Sequence, residues 1–242
     1  MKKLRFERVP THIPGFDKLV NNGFKKRSMN LIIGGAGSGK TIFSVAYLVY
    51  GIFKHNEPGM YITFEEKKEE LYENMSEFGW DLAKLEKEKK FIFLEYSPER
   101  VKKLLVEGGG LIENIITRYN IKRLVIDSIT SFVLLYQDEL TKKEAALSLF
   151  GLLRSWGCTT LLTSEKYIVN MDKVEGGGLE FEVDSIILLY HVKEKGIRKR
   201  AIEVLKMRGT KHIEKTLKME ITGTGVTIYP NRIVIFKHEE ND

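Results

Sequence analysis

The sequence Gly34-Gly35-Ala36-Gly37-Ser38-Gly39-Lys40-Thr41 decides the expected fold of this chain. It has the spacing G-x-x-x-x-G-K-[ST], and it lies between the apolar run Met29–Ile33 and an apolar-periodic segment, Ile42–Phe53. A strand, a glycine-rich turn and a helix in this order form a loop whose backbone N–H groups bind anions at the helix N-terminus. A glycine-rich surface turn, the alternative, would require neither flanking element. The pattern therefore predicts a phosphate-binding loop, or P-loop.

The residue types in this loop predict how a nucleotide would be held. Lys40 is expected to reach the β- and γ-phosphates, and the hydroxyl of Thr41 is expected to bind Mg²⁺. The glycines let the backbone turn tightly and aim successive N–H groups at the phosphates. The predicted nucleotide contacts are Gly34, Gly35, Ala36, Gly37, Ser38, Gly39, Lys40, Thr41 and Ile42.

The composition is that of one folded domain. The 242 residues are enough for an α/β domain with a substantial core, and no Pro/Ser-rich linker divides them. We therefore expect residues 1–242 to form a single domain. The net charge of +6 is modest, and Lys and Glu are interspersed along most of the chain, as on solvated helix surfaces. This balance permits a nucleic-acid partner but does not indicate one.

Two features bear on the cellular compartment. Cys158 is the single cysteine, so it cannot form an internal disulfide, and its small apolar neighbours predict a buried thiol in a reducing environment. Met1–Glu7 contains no apolar signal-peptide core, and no run approaches the roughly eighteen apolar residues of a membrane span. We expect a soluble, cytoplasmic protein with no membrane partner.

The order of the elements predicts an α/β fold. As far as Glu165, buried strands alternate with helices, which is typical of a parallel sheet with right-handed crossovers. Strands are expected at 60–64, 91–94, 124–128 and 159–165, with helices ending near Phe78, around 101–106 and 111–119, and from a capping box at 141–144 to Trp156. From Asp184 onward only strands are expected, at 185–191, 200–207, 217–221, 226–229 and 233–236. The prediction is a three-layer αβα fold whose mainly parallel sheet carries antiparallel strands at the C-terminal end.

Acidic side chains stand at the ends of two predicted strands. Asp127 closes the strand Arg123–Ile126, where a carboxylate can hold Mg²⁺ through its water shell; capping the next segment is the alternative role. Glu65 and Glu66 close another strand, where a carboxylate can orient and deprotonate a water for attack on a γ-phosphate. Glutamates are also common in the first turn of a helix, which is the plainer alternative. The pattern does not distinguish which of the two would be the base.

Three other polar segments each allow two interpretations. Thr163-Ser164-Glu165 ends a strand, where its groups could sense the γ-phosphate or the attacking water. Lys206 and Arg208 share one face of a strand, so they are either solvated or in contact with phosphate, and the pattern alone does not choose. The basic segment Lys193–Arg200 is either a solvated hairpin tip with Gly196 near its turn, or a contact for an acidic partner or nucleic acid.

Together these motifs resemble the KaiC branch of the RecA/RadA superfamily of ATPases, in the single-domain form common in archaea. In order and spacing the resemblance covers roughly Val9 to Phe236. Its most specific part is the pattern K-x-R-G-T-x-H together with the paired glutamates. The segments that carry it are Thr11-His12-Ile13-Pro14-Gly15-Phe16-Asp17, Gly34–Thr41, Tyr61-Ile62-Thr63-Phe64-Glu65-Glu66, Leu124–Ser128 and Lys206-Met207-Arg208-Gly209-Thr210-Lys211-His212.

The resemblance implies a P-loop RecA-like ATPase that binds ATP and Mg²⁺ and assembles into rings, usually hexamers, with ATP at the subunit interfaces. Lys206 and Arg208 would then contact the γ-phosphate bound by the neighbouring subunit. The implied catalytic residues are Lys40, Glu65, Glu66, Lys206 and Arg208, and the implied metal-binding residues are Thr41 and Asp127. The implied role is a nucleotide-driven regulatory or signalling switch.

Three other functions stay open as alternatives. The first is a recombination accessory that binds single-stranded DNA, like the RadA paralogues. The loop Lys166–Leu179, which faces the ring channel in RecA-like relatives, contains only Lys166 and Lys173 as cations, which weakens that alternative. The second is an autokinase, for which no Ser or Thr is singled out as an acceptor. The third is a non-hydrolysing ATP-binding scaffold, and the intact pair of glutamates argues against it.

Overall fold

A mixed sheet of nine strands forms the middle layer of the fold. The computed structural model describes residues 6–97, 99–100, 110–165 and 182–236, so the helix predicted around 101–106 and the loop 166–179 lie outside the described residues. The sheet contains β3 (Met29–Gly34), β4 (Gly59–Thr63), β5 (Phe91–Glu95), β6 (Arg123–Asp127), β7 (Thr159–Glu165), β8 (Ser185–Glu194), β9 (Ile197–Met207), β10 (Leu217–Thr222) and β11 (Gly225–Ile233). A separate antiparallel pair joins β1 (Arg8–Val9) to β2 (Phe24–Lys25).

Helices cover both faces of the sheet. Those described are α1 (Phe16–Leu19), α2 (Lys40–His55), α3 (Lys68–Ser76), α4 (Leu82–Lys87), α5 (Gly110–Tyr119), α6 (Ile129–Val133) and α7 (Glu139–Ser155). Side chains of α1 to α4 belong to the buried cluster on one face, and side chains of α5 to α7 belong to the cluster on the other. In β3, Ile32 enters the first cluster, whereas Leu31 and Ile33 enter the second, as the two-residue period of a strand requires.

The strand order is β11-β10-β9-β8-β3-β7-β6-β4-β5. The strands from β8 to β5 in this order are parallel, whereas β9, β10 and β11 are added antiparallel at one edge. This arrangement confirms the predicted three-layer αβα fold. Because β3, β7, β6 and β4 are successive neighbours, their carboxyl ends meet at one edge of the sheet.

The long helix α2 is buried on nearly all sides. Its predicted core, 42–53, is confirmed, and one turn more is helical. It lies between the sheet and the N-terminal segment, where the ring of Phe43 meets Phe16 edge-on, with centroids 5.0 Å apart. Arg123 of β6 is fully buried under this helix: its Nε donates to Glu57, 2.8 Å away, and its Nη1 donates to the Tyr47 carbonyl at 3.2 Å. The pairing offsets the cost of burying a guanidinium.

The segment Thr11–Asp17 folds into a turn that is held by the carboxylate of Asp17. Asp17 accepts hydrogen bonds from the backbone N–H and the hydroxyl of Thr11, at 2.9 and 2.7 Å, and from the N–H of His12 at 2.9 Å. Gly15 has φ +85°, and a Cβ there would lie 2.0 Å from the carbonyl oxygen of Ile228. The turn therefore packs directly against β11, which explains why the motif needs a glycine and an acid at this spacing.

Two predicted details are wrong, and one helix was missed. The residues 141–144 do not open α7 as a capping box: the helix begins at Glu139, and the Asp138 carboxylate accepts from the Thr141 N–H at 2.9 Å. The strands predicted at 226–229 and 233–236 are one strand, β11, and 234–236 lie beyond it. The register with β10 shifts between Leu217 and Met219, and Pro230, which cannot donate a ladder hydrogen bond, lies in that interruption. Helix α4 was not predicted, because six residues carry too little periodicity.

The thiol of Cys158 is buried in the second cluster, as predicted. Burial raises its pKa to about 11, so the thiol stays protonated at neutral pH. Among the described residues, no helix has both the length and the apolar character needed to span a lipid bilayer.

Candidate functional site

The P-loop connects the end of β3 to the start of α2 at the carboxyl edge of the sheet. Gly37 and Gly39 have φ of +71° and +101°, in the left-handed region where a side chain would be strained. Ser38 is buried, and among the described atoms its Oγ has no hydrogen-bond partner. A Cβ on Gly34 would lie 2.5 Å from that oxygen. The strand, the glycine-rich turn and the helix thus follow one another as the sequence predicted, and anion binding by this loop stays a prediction.

Lys40 extends from the first turn of α2 into this loop. Its Nζ donates to the Gly35 carbonyl at 3.2 Å and lies 3.4 Å from a carboxylate oxygen of Glu165, at the end of β7. Lys40 is only 7% exposed, whereas the Glu165 side chain is 54% exposed. The contact is long, and one of its partners is open to solvent, so an incoming phosphate can replace Glu165 at little cost.

Thr41 and Asp127 come from different elements and meet at the candidate metal site. The Thr41 hydroxyl donates to Oδ2 of Asp127 at 2.9 Å. The same oxygen accepts from the Tyr61 hydroxyl at 2.6 Å, and Oδ1 accepts from the Thr163 hydroxyl. A hydroxyl beside a carboxylate is a hard-oxygen donor set of the kind that Mg²⁺ takes together with phosphate oxygens and water. These residues therefore fit the metal that the sequence predicted.

The paired glutamates follow β4 and differ in their surroundings. Their backbone N–H groups both point to the Thr63 hydroxyl, at 3.2 and 3.0 Å. Glu65 accepts a hydrogen bond from the Ser131 hydroxyl on α6, whereas the Glu66 carboxylate lies 3.5 Å from the Tyr61 hydroxyl. Of the two side chains, Glu66 is therefore the one that lies near the Tyr61 hydroxyl, which donates to Asp127.

Both carboxyl groups have raised pKa values. Burial, followed by the nearby carboxylates of Asp127 and other acids, raises the pKa of Glu66 to about 7. Burial also raises the pKa of Glu65, with Glu165 and Asp127 contributing. A carboxylate whose pKa approaches neutrality is a better proton acceptor than an ordinary one. Tyr61 is fully buried, and burial beside Asp127 raises its pKa well above the usual value, so its hydroxyl stays protonated and donates.

The polar end of β7 joins the site as well. Thr163 contacts Asp127, and Glu165 contacts Lys40. The Thr130 hydroxyl lies 3.3 Å from that of Ser164 and accepts from the Glu165 N–H at 2.8 Å. The segment Thr163–Glu165, which the sequence left with two interpretations, therefore lies beside the P-loop lysine and the metal-side acid.

Lys206 and Arg208 lie near the amino ends of the parallel strands, whereas the P-loop lies at their carboxyl ends. Met207, between them, is level with Ser185 of β8, which is level with Asn30 near the start of β3. The P-loop begins at Gly34, which lies four residues further along β3 than Asn30, or about 13 Å at the rise of a strand. Lys206 is half-buried and Arg208 is exposed. Within one copy the chain thus separates these two cations from its own P-loop.

The basic hairpin of β8 and β9 reaches the P-loop, which the sequence did not predict. His191 and Arg200 are register partners beyond the level where Gly34 ends β3. The Arg200 Nε donates to the Gly37 carbonyl at 2.9 Å, and the His191 Nδ1 lies 3.4 Å from the Ala36 carbonyl. The tip is a turn at Lys195 and Gly196, as predicted. Only the register of β8 and β9 brings His191 and Arg200 to the P-loop, and no local pattern encodes that register.

A cleft of about 620 Å³ opens beside this hairpin, where β9 and β10 diverge. Their paired segment covers only Leu217–Met219 opposite Arg200–Ile202. Met219 and Ile221 line the cleft and also pack near Gly39, whose Cβ position is 3.4 Å from Ile221 Cδ1. Two apolar side chains of the cleft therefore lie next to the P-loop, and Arg198 and Arg200 also line the cleft.

Comparisons with known proteins agree with this geometry. A family model described as the KaiC ATPase matches residues 9–233. The circadian clock oscillator protein KaiC of Synechococcus elongatus is 35% identical over 229 residues, which are 92% of this chain and 44% of that protein. The chain thus spans about half the length of this curated relative.

Two archaeal proteins match along nearly their whole length. A UPF0273 protein of Methanocaldococcus jannaschii is 34% identical over 241 residues, covering 94% of this chain and 98% of that protein. The crystal structure of a KaiC-like protein from Pyrococcus horikoshii superposes with a TM-score of 0.82 at 35% identity, covering 93% of this chain and 100% of the other. The chain therefore belongs to the KaiC family of ATPases, within the RecA-like superfamily.

Proposed function

We propose that this chain binds ATP with Mg²⁺ at the P-loop, hydrolyses it in a self-assembled ring, most simply a hexamer, and acts as a nucleotide-driven regulatory switch. The single observation that carries the proposal is the meeting, at one edge of the sheet, of Lys40, Thr41, Asp127 and Glu66. Membership of the KaiC family supports ATP as the nucleotide.

Binding would rest on the loop and on its first helical turn. The N–H groups of Gly34 to Ile42 would surround the phosphates, and Lys40 would exchange its 3.4 Å contact with Glu165 for the β- and γ-phosphates. Mg²⁺, held by Thr41 and Asp127, would offset charge on the β- and γ-oxygens. We assign the cleft beside Met219 and Ile221 to the base of the nucleotide, because both side chains also lie close to Gly39 of the P-loop.

Glu66 is the residue that we propose for activating water. Its carboxylate lies 3.5 Å from the Tyr61 hydroxyl, which donates to Asp127, and its raised pKa makes it able to take a proton near neutral pH. Glu65 would have an auxiliary role, because its carboxylate already accepts a hydrogen bond from the Ser131 hydroxyl. Together the two carboxylates would position a water molecule and take its proton for in-line attack on the γ-phosphate.

Lys206 and Arg208 would act on the nucleotide of a neighbouring copy. The strand register supports a role in the neighbouring copy, because within one copy both residues lie near the amino ends of the parallel strands and the P-loop lies at their carboxyl ends. A head-to-tail interface that closes into a ring would bring them to the next subunit's γ-phosphate. Their cationic groups would there stabilise transition-state charge.

The switch would begin at Glu165. When phosphate takes its place beside Lys40, the end of β7 loses a contact. Nucleotide binding and hydrolysis would thus change the contacts of Glu165 in each subunit of the ring.

The test is ATP hydrolysis by wild type and four variants. Lys40→Ala, Glu66→Gln and Arg208→Ala are each expected to lower kcat at least about 100-fold, because each removes charge stabilisation or the base. Arg118→Ala, which removes an exposed arginine at the end of α5, is the matched control and should retain wild-type activity. Absence of ATP hydrolysis by the wild-type protein would overturn the proposed function, and full activity of Arg208→Ala would overturn the shared site.

A further inference from the structure

Tyr61 occupies a position where a phenylalanine would satisfy the packing. It lies on β4, is fully buried, and stacks against Phe91 and Phe93 at centroid distances of 6.4 and 6.0 Å. These contacts involve only its ring. Burying a hydroxyl costs free energy unless the hydroxyl forms a hydrogen bond, so a tyrosine here requires a partner for its oxygen.

That partner is the metal-side acid. The Tyr61 hydroxyl donates to Oδ2 of Asp127 at 2.6 Å, whereas it lies 3.5 Å from the Glu66 carboxylate. A phenol has one proton, so the shorter contact takes it. The hydroxyl also stands between two carboxylates, the one that we assign to Mg²⁺ and the one that we assign to water activation.

The orientation of Asp127 depends on few groups. Among the described residues, its carboxylate accepts from the hydroxyls of Thr41, Tyr61 and Thr163. Thr41 would turn its oxygen toward Mg²⁺ when the metal binds, which leaves Tyr61 and Thr163 to hold the carboxylate. Outer partners of this kind fix the direction of a metal-binding carboxylate, and their loss typically costs 10- to 100-fold in metal affinity or activity.

We propose that Tyr61 is a positioning residue of the hydrolytic site: its buried hydroxyl fixes the Asp127 carboxylate for Mg²⁺ and keeps it at a set distance from Glu66. This inference rests on the proposed function. It assigns a role that the P-loop pattern and the paired glutamates do not contain, because it depends on a contact between β4 and β6.

The experiment compares Tyr61→Phe with Tyr72→Phe. Tyr72 is the matched control, because its ring packs edge-on against the same Phe91 and Phe93, at 6.2 and 5.9 Å, while its hydroxyl lies near Glu86 and forms no hydrogen bond with another described atom. Each substitution removes one oxygen and keeps the ring, so both variants should fold. The measurements are the Mg²⁺ concentration for half-maximal binding of a fluorescent ATP analogue, and kcat and KM for ATP at saturating Mg²⁺.

For Tyr61→Phe we expect the half-maximal Mg²⁺ concentration to rise about 10-fold and kcat to fall by a similar factor, with KM for ATP nearly unchanged. Tyr72→Phe should match wild type. If Tyr61→Phe keeps the wild-type Mg²⁺ dependence and kcat, or if Tyr72→Phe shows the same losses, the role of Tyr61 is overturned while the proposed function stands. If wild type neither binds nor hydrolyses ATP, both fall.

Discussion

At the scale of single residues, Glu66 shows what the fold does to a carboxyl group. The sequence places two glutamates after β4 without distinguishing them, and the structure turns one toward Ser131 and the other toward Tyr61 and Asp127. Burial near another acid raises the pKa of Glu66 to about 7. The same environment that suits a base for attack on phosphate makes the ionised side chain unfavourable in the folded state.

This shift has a consequence for stability. The folded-state pKa of Glu66 lies above the ordinary value of 4.5, so between about pH 4.5 and 7 the folded protein binds more protons than the unfolded chain. The stability that the protonated group contributes is therefore present below pH 4.5 and is lost as the pH rises through 7. Glu66→Gln removes this loss.

We expect Glu66→Gln, without nucleotide or Mg²⁺, to raise the melting temperature more at pH 8 than at pH 5. After allowance for its partial exposure, the gain at pH 8 corresponds to about 1 kcal/mol, or about 2–4 °C. Glu73→Gln on the exposed face of α3 serves as the control and should change neither value. An equal effect of Glu66→Gln at both pH values would contradict the assigned shift. The melting temperatures are measured by thermal unfolding, monitored by circular dichroism, at both pH values.

Residue roles divide into those that local sequence reveals and those that it does not. Lys40, Thr41, Asp127 and the two glutamates were predicted because each lies in a short motif beside a recognisable strand. Their placement at one edge agrees with the prediction, while their chemical roles stay predictions. Tyr61 and Arg200 were missed, because their partners, Asp127 and the Gly37 carbonyl, lie far away in sequence.

At the scale of elements, close packing limits which residues α2 can contain. Gly51 faces Arg123, and a Cβ at that position would lie 2.3 Å from Arg123 Nε. The guanidinium is fully buried and bonded to Glu57 and to the Tyr47 carbonyl, so it has little room to move. By contrast, Gly151 lies on the exposed face of α7, and its Cβ position meets nothing within 4 Å.

The two glycines form a matched pair of helix-interior substitutions. Gly51→Ala should destabilise the protein by about 1–3 kcal/mol, because the methyl group forces Arg123 from its partners. Gly151→Ala should stabilise it by about 0.5–1 kcal/mol, because alanine favours the helix and there is room for it. Urea unfolding of both variants checks the signs; similar effects of the two substitutions would contradict the packing of α2 against β6.

The elements themselves were predictable where the hydrophobic pattern was long. The strands of the parallel sheet and the core of α2 follow directly from it. The merged strand β11 and the start of α7 were not predicted correctly, because Pro230 lies within a register shift and Asp138 caps the helix three residues before the expected position. Boundaries of this kind depend on hydrogen-bond partners that a one-dimensional pattern does not contain.

At the scale of the whole molecule, the sheet separates two halves of the proposed site. The P-loop, Asp127 and Glu66 lie at the carboxyl ends of the parallel strands, whereas Lys206 and Arg208 lie near their amino ends, about 13 Å back along the strand direction from the P-loop. Neither half is complete by itself if phosphoryl transfer requires a cation opposite the P-loop. We therefore propose that two copies of the chain complete each site.

Mixing two inactive variants tests that claim most directly. Lys40→Ala loses the P-loop lysine and keeps Arg208, whereas Arg208→Ala keeps the P-loop lysine and loses Arg208. Each alone should hydrolyse ATP at least about 100-fold more slowly than wild type. In rings assembled from equal amounts of both, about one site in four pairs an intact P-loop with an intact Arg208, so hydrolysis should recover to about a quarter of the wild-type rate. A mixture no more active than its components, although both variants fold and assemble together, would contradict the account.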